Sequence, residues 1–152
     1  MSTSQLQQTM AILRISLAEI GNKERQLESM INQFRTQLRR LPRQVIYGQT
    51  GLDASLSSMG EIEERLADST STLRRLRVIK KSTLDELAAL ESVKQVSEAR
   101  RSLADLKRAI RTSPDDPETI SEVRRLELFI TEHSKMAEMA ITERFQEPSI
   151  DS

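Results

Sequence analysis

The residues able to do chemistry are few. The sequence has one histidine, His133, and no cysteine. That excludes two-histidine zinc motifs, the paired Glu-x-x-His of helical di-iron sites, thiolate nucleophiles and disulfide frameworks, and leaves a hydrolase triad almost no room. Gly48 and Gly51 lack the spacing of a phosphate-binding loop and no Lys-Ser/Thr follows them. No metal and no cofactor is expected. One catalytic chemistry survives: an all-helical site that holds an anionic small molecule on bidentate arginines and stabilises its transition-state charge. Its candidates are Arg14, Lys23, Arg25 and Glu24. Glu24 has a second reading, because it stands alone among apolar neighbours at helical spacing. A polar residue there fixes register or partner number. The structural reading is preferred, and the chain is expected not to be an enzyme.

Two basic clusters come next. Arg35, Arg39, Arg40 and Arg43 close the first helix, where cations suit the negative helix end. Arg74, Arg75, Arg77, Lys80 and Lys81 crowd a short stretch of the second, with Arg74, Arg77 and Lys81 on one face. The second cluster offers contact to an anion or to a membrane surface. Overall neutrality, with 23 basic and 23 acidic residues and 3 % aromatics, speaks against nucleic acid. His133 falls on the apolar stripe of the third helix as a core-edge residue. Ser69–Thr72 beside Arg74 reads as a phosphate acceptor or, more plainly, as a soft place in a helix.

The elements that carry these residues are legible from periodicity. From Leu6, steps of four and three meet Met10, Leu13, Leu17, Ile20, Glu24, Leu27, Ile31, Phe34, Leu38, Leu41 and Val45. Eleven of these twelve are apolar, where a 37 % apolar composition gives about four, so the stretch is a heptad seam. Ser4 reads as the N-cap, Pro42 as a bend or stop, and Tyr47–Gly51 as a turn, with Thr50-x-x-Asp53 as a capping box. The second helix spans about 53–111 on Leu52, Leu56, Met59, Ile62, Leu66, Leu73, Leu76, Thr83, Leu87 and Leu90, then Val96, Ala99, Leu103, Leu106 and Ile110. Its phase slips near Val78–Ile79 and near Val93, and Gly60 and Ser69–Thr72 are its weak points. Asp116 caps a third helix, about 117–145, with Pro117 at its first position. Residues 147–152 are expected to be a disordered tail after a single helical domain, 1–146.

At ~1.5 Å per residue the helices are roughly 65, 88 and 44 Å long. Short joints make neighbours antiparallel. Residue 4 then lies opposite about residue 95, and residue 145 opposite about residue 83. The expected fold is all-α: an elongated antiparallel helical hairpin or coiled coil with a third helix packed over part of it. The three-helix section takes Leu84–Val93, Ala11, Ile12 and Ile15, and Met136–Ile141 with Phe145. The competing arrangement is a plain three-helix bundle bent at Ser69–Thr72. Residues 1–51 carry seven basic and three acidic side chains, residues 112–152 four and ten; the acidic third helix either docks on the basic first, within one chain or between two, or presents a solvated acidic face that keeps a rod soluble.

The function expected from this pattern is that of a non-catalytic coiled-coil scaffold or adaptor. It would self-associate, with a dimer favoured, and bind a partner protein's helix. The interface is expected at exposed seam positions: Leu27, Ile31, Phe34 and Leu38 on one arm, Leu103, Leu106 and Ile110 on the other. The alternative is a membrane- or polyanion-binding hairpin using Arg74, Arg75, Arg77, Lys80 and Lys81; an enzyme acting on an anionic small molecule ranks third. The opening MSTSQLQQTM has neither a basic nor an apolar region, which makes a cytoplasmic location the expectation.

Overall fold

A computed structural model describes residues 3–112, 114 and 116–145. They form three helices and, among the described residues, no strand: α1 (Thr3–Ile46), α2 (Leu52–Thr112) and α3 (Pro117–Phe145). The protein is all-α, and the helix bounds match the sequence to within one or two residues. The expected tail, 147–152, lies outside the described residues, as do Ser113 and Asp115 of the second joint.

Local chemistry fixes each boundary. Ser4 lies inside α1 rather than capping it, and α1 continues through Pro42 to Ile46. It ends where Gly48 takes a φ of 69°. There the Gly48 N–H donates to Val45 O at 3.0 Å and the Gln49 N–H to Gln44 O at 2.8 Å. This bond pair is a Schellman cap, and the left-handed backbone at its centre suits glycine. The capping box at Thr50 is corrected: the Ser55 N–H donates to Gly51 O at 3.0 Å, so Gly51 is the N-cap of α2 and Thr50 stands one residue too early.

α2 runs unbroken past Gly60 and Ser69–Thr72. The Thr70 and Thr72 hydroxyls donate to Leu66 O (2.7 Å) and Asp68 O (2.9 Å), back along their own helix, so they leave its backbone ladder in place. α3 starts as read. Asp116 accepts the Glu118 N–H at 3.1 Å and the Thr119 hydroxyl at 2.8 Å, and its carbonyl accepts the Ile120 N–H at 3.2 Å.

The chain divides into two compact units, Arg14–Leu84 and Met1–Leu13 with Asp85–Ser152. Arg14–Leu84 is an antiparallel hairpin of α1 and α2. Leu27, Ile31 and Leu73 are buried together, with Leu66 and Leu76 packed on them. Every seam position of α1 here, from Leu17 to Val45, is buried or half-buried. On α2 the inward positions are Ser55, Met59, Ile62, Leu66, Ser69, Leu73, Leu76, Lys80 and Thr83, in steps of four and three, and none is exposed. The slip expected near Val78–Ile79 is therefore absent. Both residues are exposed, and Lys80 holds the seam place that an apolar count skips.

In the other unit all three helices share a core. Leu6 and Met10 come from α1, Leu90, Val93 and Val96 from α2, and Ala137 and Ala140 from α3, with Leu13, Leu87, Ala89 and Phe129 against them. Buried residues of α2 recur here in steps of three, Leu90, Val93, Val96 and Ala99, which swings its apolar face around to meet two partners. The shift near Val93 is thus present. Several off-seam apolar residues expected in the core stay out of it: Ile12, Met136 and Met139 are exposed, while Ala137 and Ala140 fill the inner face of α3. In Arg14–Leu84 the same holds of Ile15 and Leu84. The acids of α3 pair with α2 rather than α1, Glu127 with Lys107 at 3.6 Å and Glu138 with Arg100 at 3.9 Å. The part of α1 in this unit has no charged residue.

Candidate interaction surfaces

Glu24 faces α2. Its Oε1 accepts a bond from Lys80 Nζ at 3.1 Å and its Oε2 lies 3.7 Å from Arg77 Nε, on a side chain that is 17 % exposed. Arg77 also donates to Glu28 at 3.0 Å. Arg25 donates to Asn22 on its own helix. The structure therefore draws Glu24 into a cross-hairpin ion pair, while Arg25 belongs to a shallow polar groove with Ser29, Asn32, Gln33 and Arg40. His133 is half-buried, its ring centroid 4.4 Å from that of Phe129. Among the described residues no three His, Asp or Glu side chains are grouped to hold a metal ion.

The basic cluster of α2 is divided by these contacts. Arg77 and Lys80 are engaged by Glu24 and Glu28, Arg75 donates to the Thr72 hydroxyl at 3.3 Å, and Arg74 and Lys81 are exposed. Arg35 of α1 and Arg77 of α2 line one groove of ≈ 310 Å³ with Asn32 and Thr70. The antiparallel register that pairs Glu24 with Lys80 otherwise keeps the two basic clusters at different heights, Arg35 to Arg43 lying nearer the turn than Arg74 to Lys81.

None of the expected docking positions is fully exposed. Leu27 and Ile31 are 4 % and 5 % exposed, closed against α2 of the same hairpin. Phe34 and Leu38 are half-buried along that line, and Leu103, Leu106 and Ile110 are half-buried on α2.

What stays open lies off the seam. On α3, Leu128, Met136 and Met139 are 60, 64 and 52 % exposed. Around the α1–α2 turn, Ile46, Tyr47, Leu52 and Leu56 are all exposed. Leu52 and Leu56, expected at the head of the α2 stripe, face out because Ser55 takes the inward place between them, while Ile46, Tyr47 and the α3 residues lie outside the heptad steps. In the three-helix unit an apolar-floored cavity of ≈ 330 Å³ lies over Leu6, Val96 and Ala137, and two of its rim cations are paired, Lys94 with Glu98 and Arg100 with Glu138.

No known protein family, curated protein or solved structure matches this chain. Among the described residues no helix is long and apolar enough to cross a membrane.

Proposed function

We propose that this chain is a non-catalytic helical scaffold of the cytoplasm that self-associates through the outer face of α3 and, through coiled-coil contacts, takes a helix of a partner protein. One observation carries the reading. Leu128, Glu132, Lys135 and Met139 follow one another in steps of four, three and four along the face of α3 opposite its core, with exposed Met136 beside them. Glu132 and Lys135 form no ion pair among the described residues. A second α3 laid antiparallel on this stripe sets Leu128 against Met139 of the second copy and Glu132 against its Lys135. Two-fold symmetry repeats both contacts. Methionines at such a face adapt to helices of more than one shape.

Sedimentation velocity over a range of concentrations tests this. The chain dimerises as concentration rises, and Leu128→Asp leaves it monomeric. Glu132→Lys weakens the dimer, and Glu132→Lys with Lys135→Glu restores it. A chain that stays monomeric, or a dimer indifferent to these changes, sinks the reading.

The cluster Arg74, Arg75, Arg77, Lys80 and Lys81 offers less to a membrane or polyanion than its sequence promises, since Arg77 and Lys80 are held by carboxylates.

A further inference from the structure

The turn that closes the Arg14–Leu84 hairpin is its most apolar exposed region. Ile46 and Tyr47 are 77 % and 78 % exposed, and Leu52 and Leu56 on the facing helix are 62 % and 57 % exposed. Large apolar side chains grouped in the open mark a contact surface. The helix behind them is basic. No Asp or Glu occurs from Ser29 to Leu52, while Arg35, Arg39, Arg40 and Arg43 stand in the last turns of α1. These four arginines form no ion pair among the described residues. Arg39 and Ile46, seven apart, share a stripe of α1. Asp53 is the one acid at the tip, in the first turn of α2, where the helix end favours it.

We propose that this tip inserts into the surface of an anionic lipid bilayer. Ile46, Leu52 and Leu56 enter the boundary between headgroups and acyl chains. Tyr47 sits at headgroup level with its ring in the apolar layer and its hydroxyl in the polar one. Arg39, Arg40 and Arg43 reach lipid phosphates, which they bind bidentately. The Schellman cap at Gly48 and the start of α2 at Gly51 fix the backbone that carries these four residues, so little backbone ordering is needed on insertion. A free phosphate would answer the arginines and leave the apolar residues unexplained. A second copy meeting tip to tip would set arginines against arginines. A single-stranded nucleic acid needs several aromatic platforms, and the tip has one.

The sequence supplies its own reporter: Tyr47 is its one tyrosine and it has no tryptophan. The full chain is mixed with vesicles of phosphatidylcholine alone and of phosphatidylcholine with phosphatidylserine, with and without brominated acyl chains. Co-sedimentation is expected only with phosphatidylserine present, together with quenching of the Tyr47 emission by the brominated chains. Ile46→Ser with Leu52→Ser lowers the partition about tenfold or more, and Arg39→Glu, Arg40→Glu and Arg43→Glu together lower it about a hundredfold. Circular dichroism checks that these exposed substitutions leave the helices intact. Arg74→Glu with Lys81→Glu changes binding little, and the monomeric Leu128→Asp chain still binds. Absence of binding to anionic vesicles overturns the proposal. So does binding with Tyr47 unquenched, or binding that Arg74→Glu with Lys81→Glu abolishes and the tip substitutions do not.

Discussion

Glu24 and Lys80 meet across the hairpin at 3.1 Å, each in a seam position of its own helix. The pair discriminates between registers. Sliding one helix by a heptad buries each charge against a leucine or isoleucine of the other, whereas the observed register satisfies both and sets Ile31 opposite Leu73. Such a pair adds little net stability and much specificity.

That view gives a first prediction. Glu24→Ala and Lys80→Ala each destabilise the hairpin by ~1–2 kcal/mol, and the double substitution costs less than their sum. Urea denaturation of the four proteins measures the coupling. Glu24→Leu with Lys80→Leu keeps or raises stability, and mass spectrometry after cross-linking then finds more than one pairing of α1 with α2. A single pairing identical to the parent's would mean that the ion pair does not select register.

Ile31 separates folding from binding. It is 5 % exposed against Leu73, so Ile31→Ala costs ~2–4 kcal/mol by lost burial and the cavity left behind. Ile31→Asp unfolds the hairpin, read as lost helicity at 222 nm in circular dichroism. A folded Ile31→Asp chain that merely fails to associate would return the seam to the role of a docking face.

Two glycines respond in opposite directions. Gly48 has φ of 69°, so Gly48→Ala destabilises by ~1 kcal/mol even though the space around it is open. Gly60 lies inside α2 with nothing near an added Cβ, and Gly60→Ala stabilises by ~0.5–1 kcal/mol. Thermal unfolding followed by circular dichroism gives both signs in one experiment. Equal shifts would contradict the backbone assignment of the turn.

Glu122 gives a pH signature. A hydrogen bond from Arg125 holds its carboxyl below the ordinary glutamate range, and the same contact raises Arg125. A carboxylate with a lowered folded value contributes stability above its unfolded value and loses it as pH falls through the lowered one. The group is exposed, so the contribution is small and screened by salt. Carbon-13 titration of the carboxyl shows the lowered midpoint, and Arg125→Ala moves it up. An unmoved midpoint would remove Arg125 as the cause.

The α1 seam was readable because its core residues are apolar in their own right: eleven of twelve steps show in the letters, and all twelve positions are buried or half-buried. The inner face of α2 was harder to read. Ser55, Ser69, Lys80 and Thr83 occupy it because of what lies opposite, and a count along one helix has no knowledge of its neighbour. Ser69 is buried where the register sets it against the bulky Phe34, and Lys80 where it meets Glu24. The cap at Asp116 was legible because one side chain makes it. The open faces at Leu128 and Tyr47 were not, since an apolar residue looks the same in sequence whether a core takes it or leaves it out.

The turn at Gly48 also orders events in time. Contacts beside it close short loops, while the Glu24–Lys80 bond joins residues 56 apart and forms only after the intervening turns have zipped. Substitutions near Gly48 therefore slow folding. Those at Glu24 and Lys80, formed late, chiefly hasten unfolding.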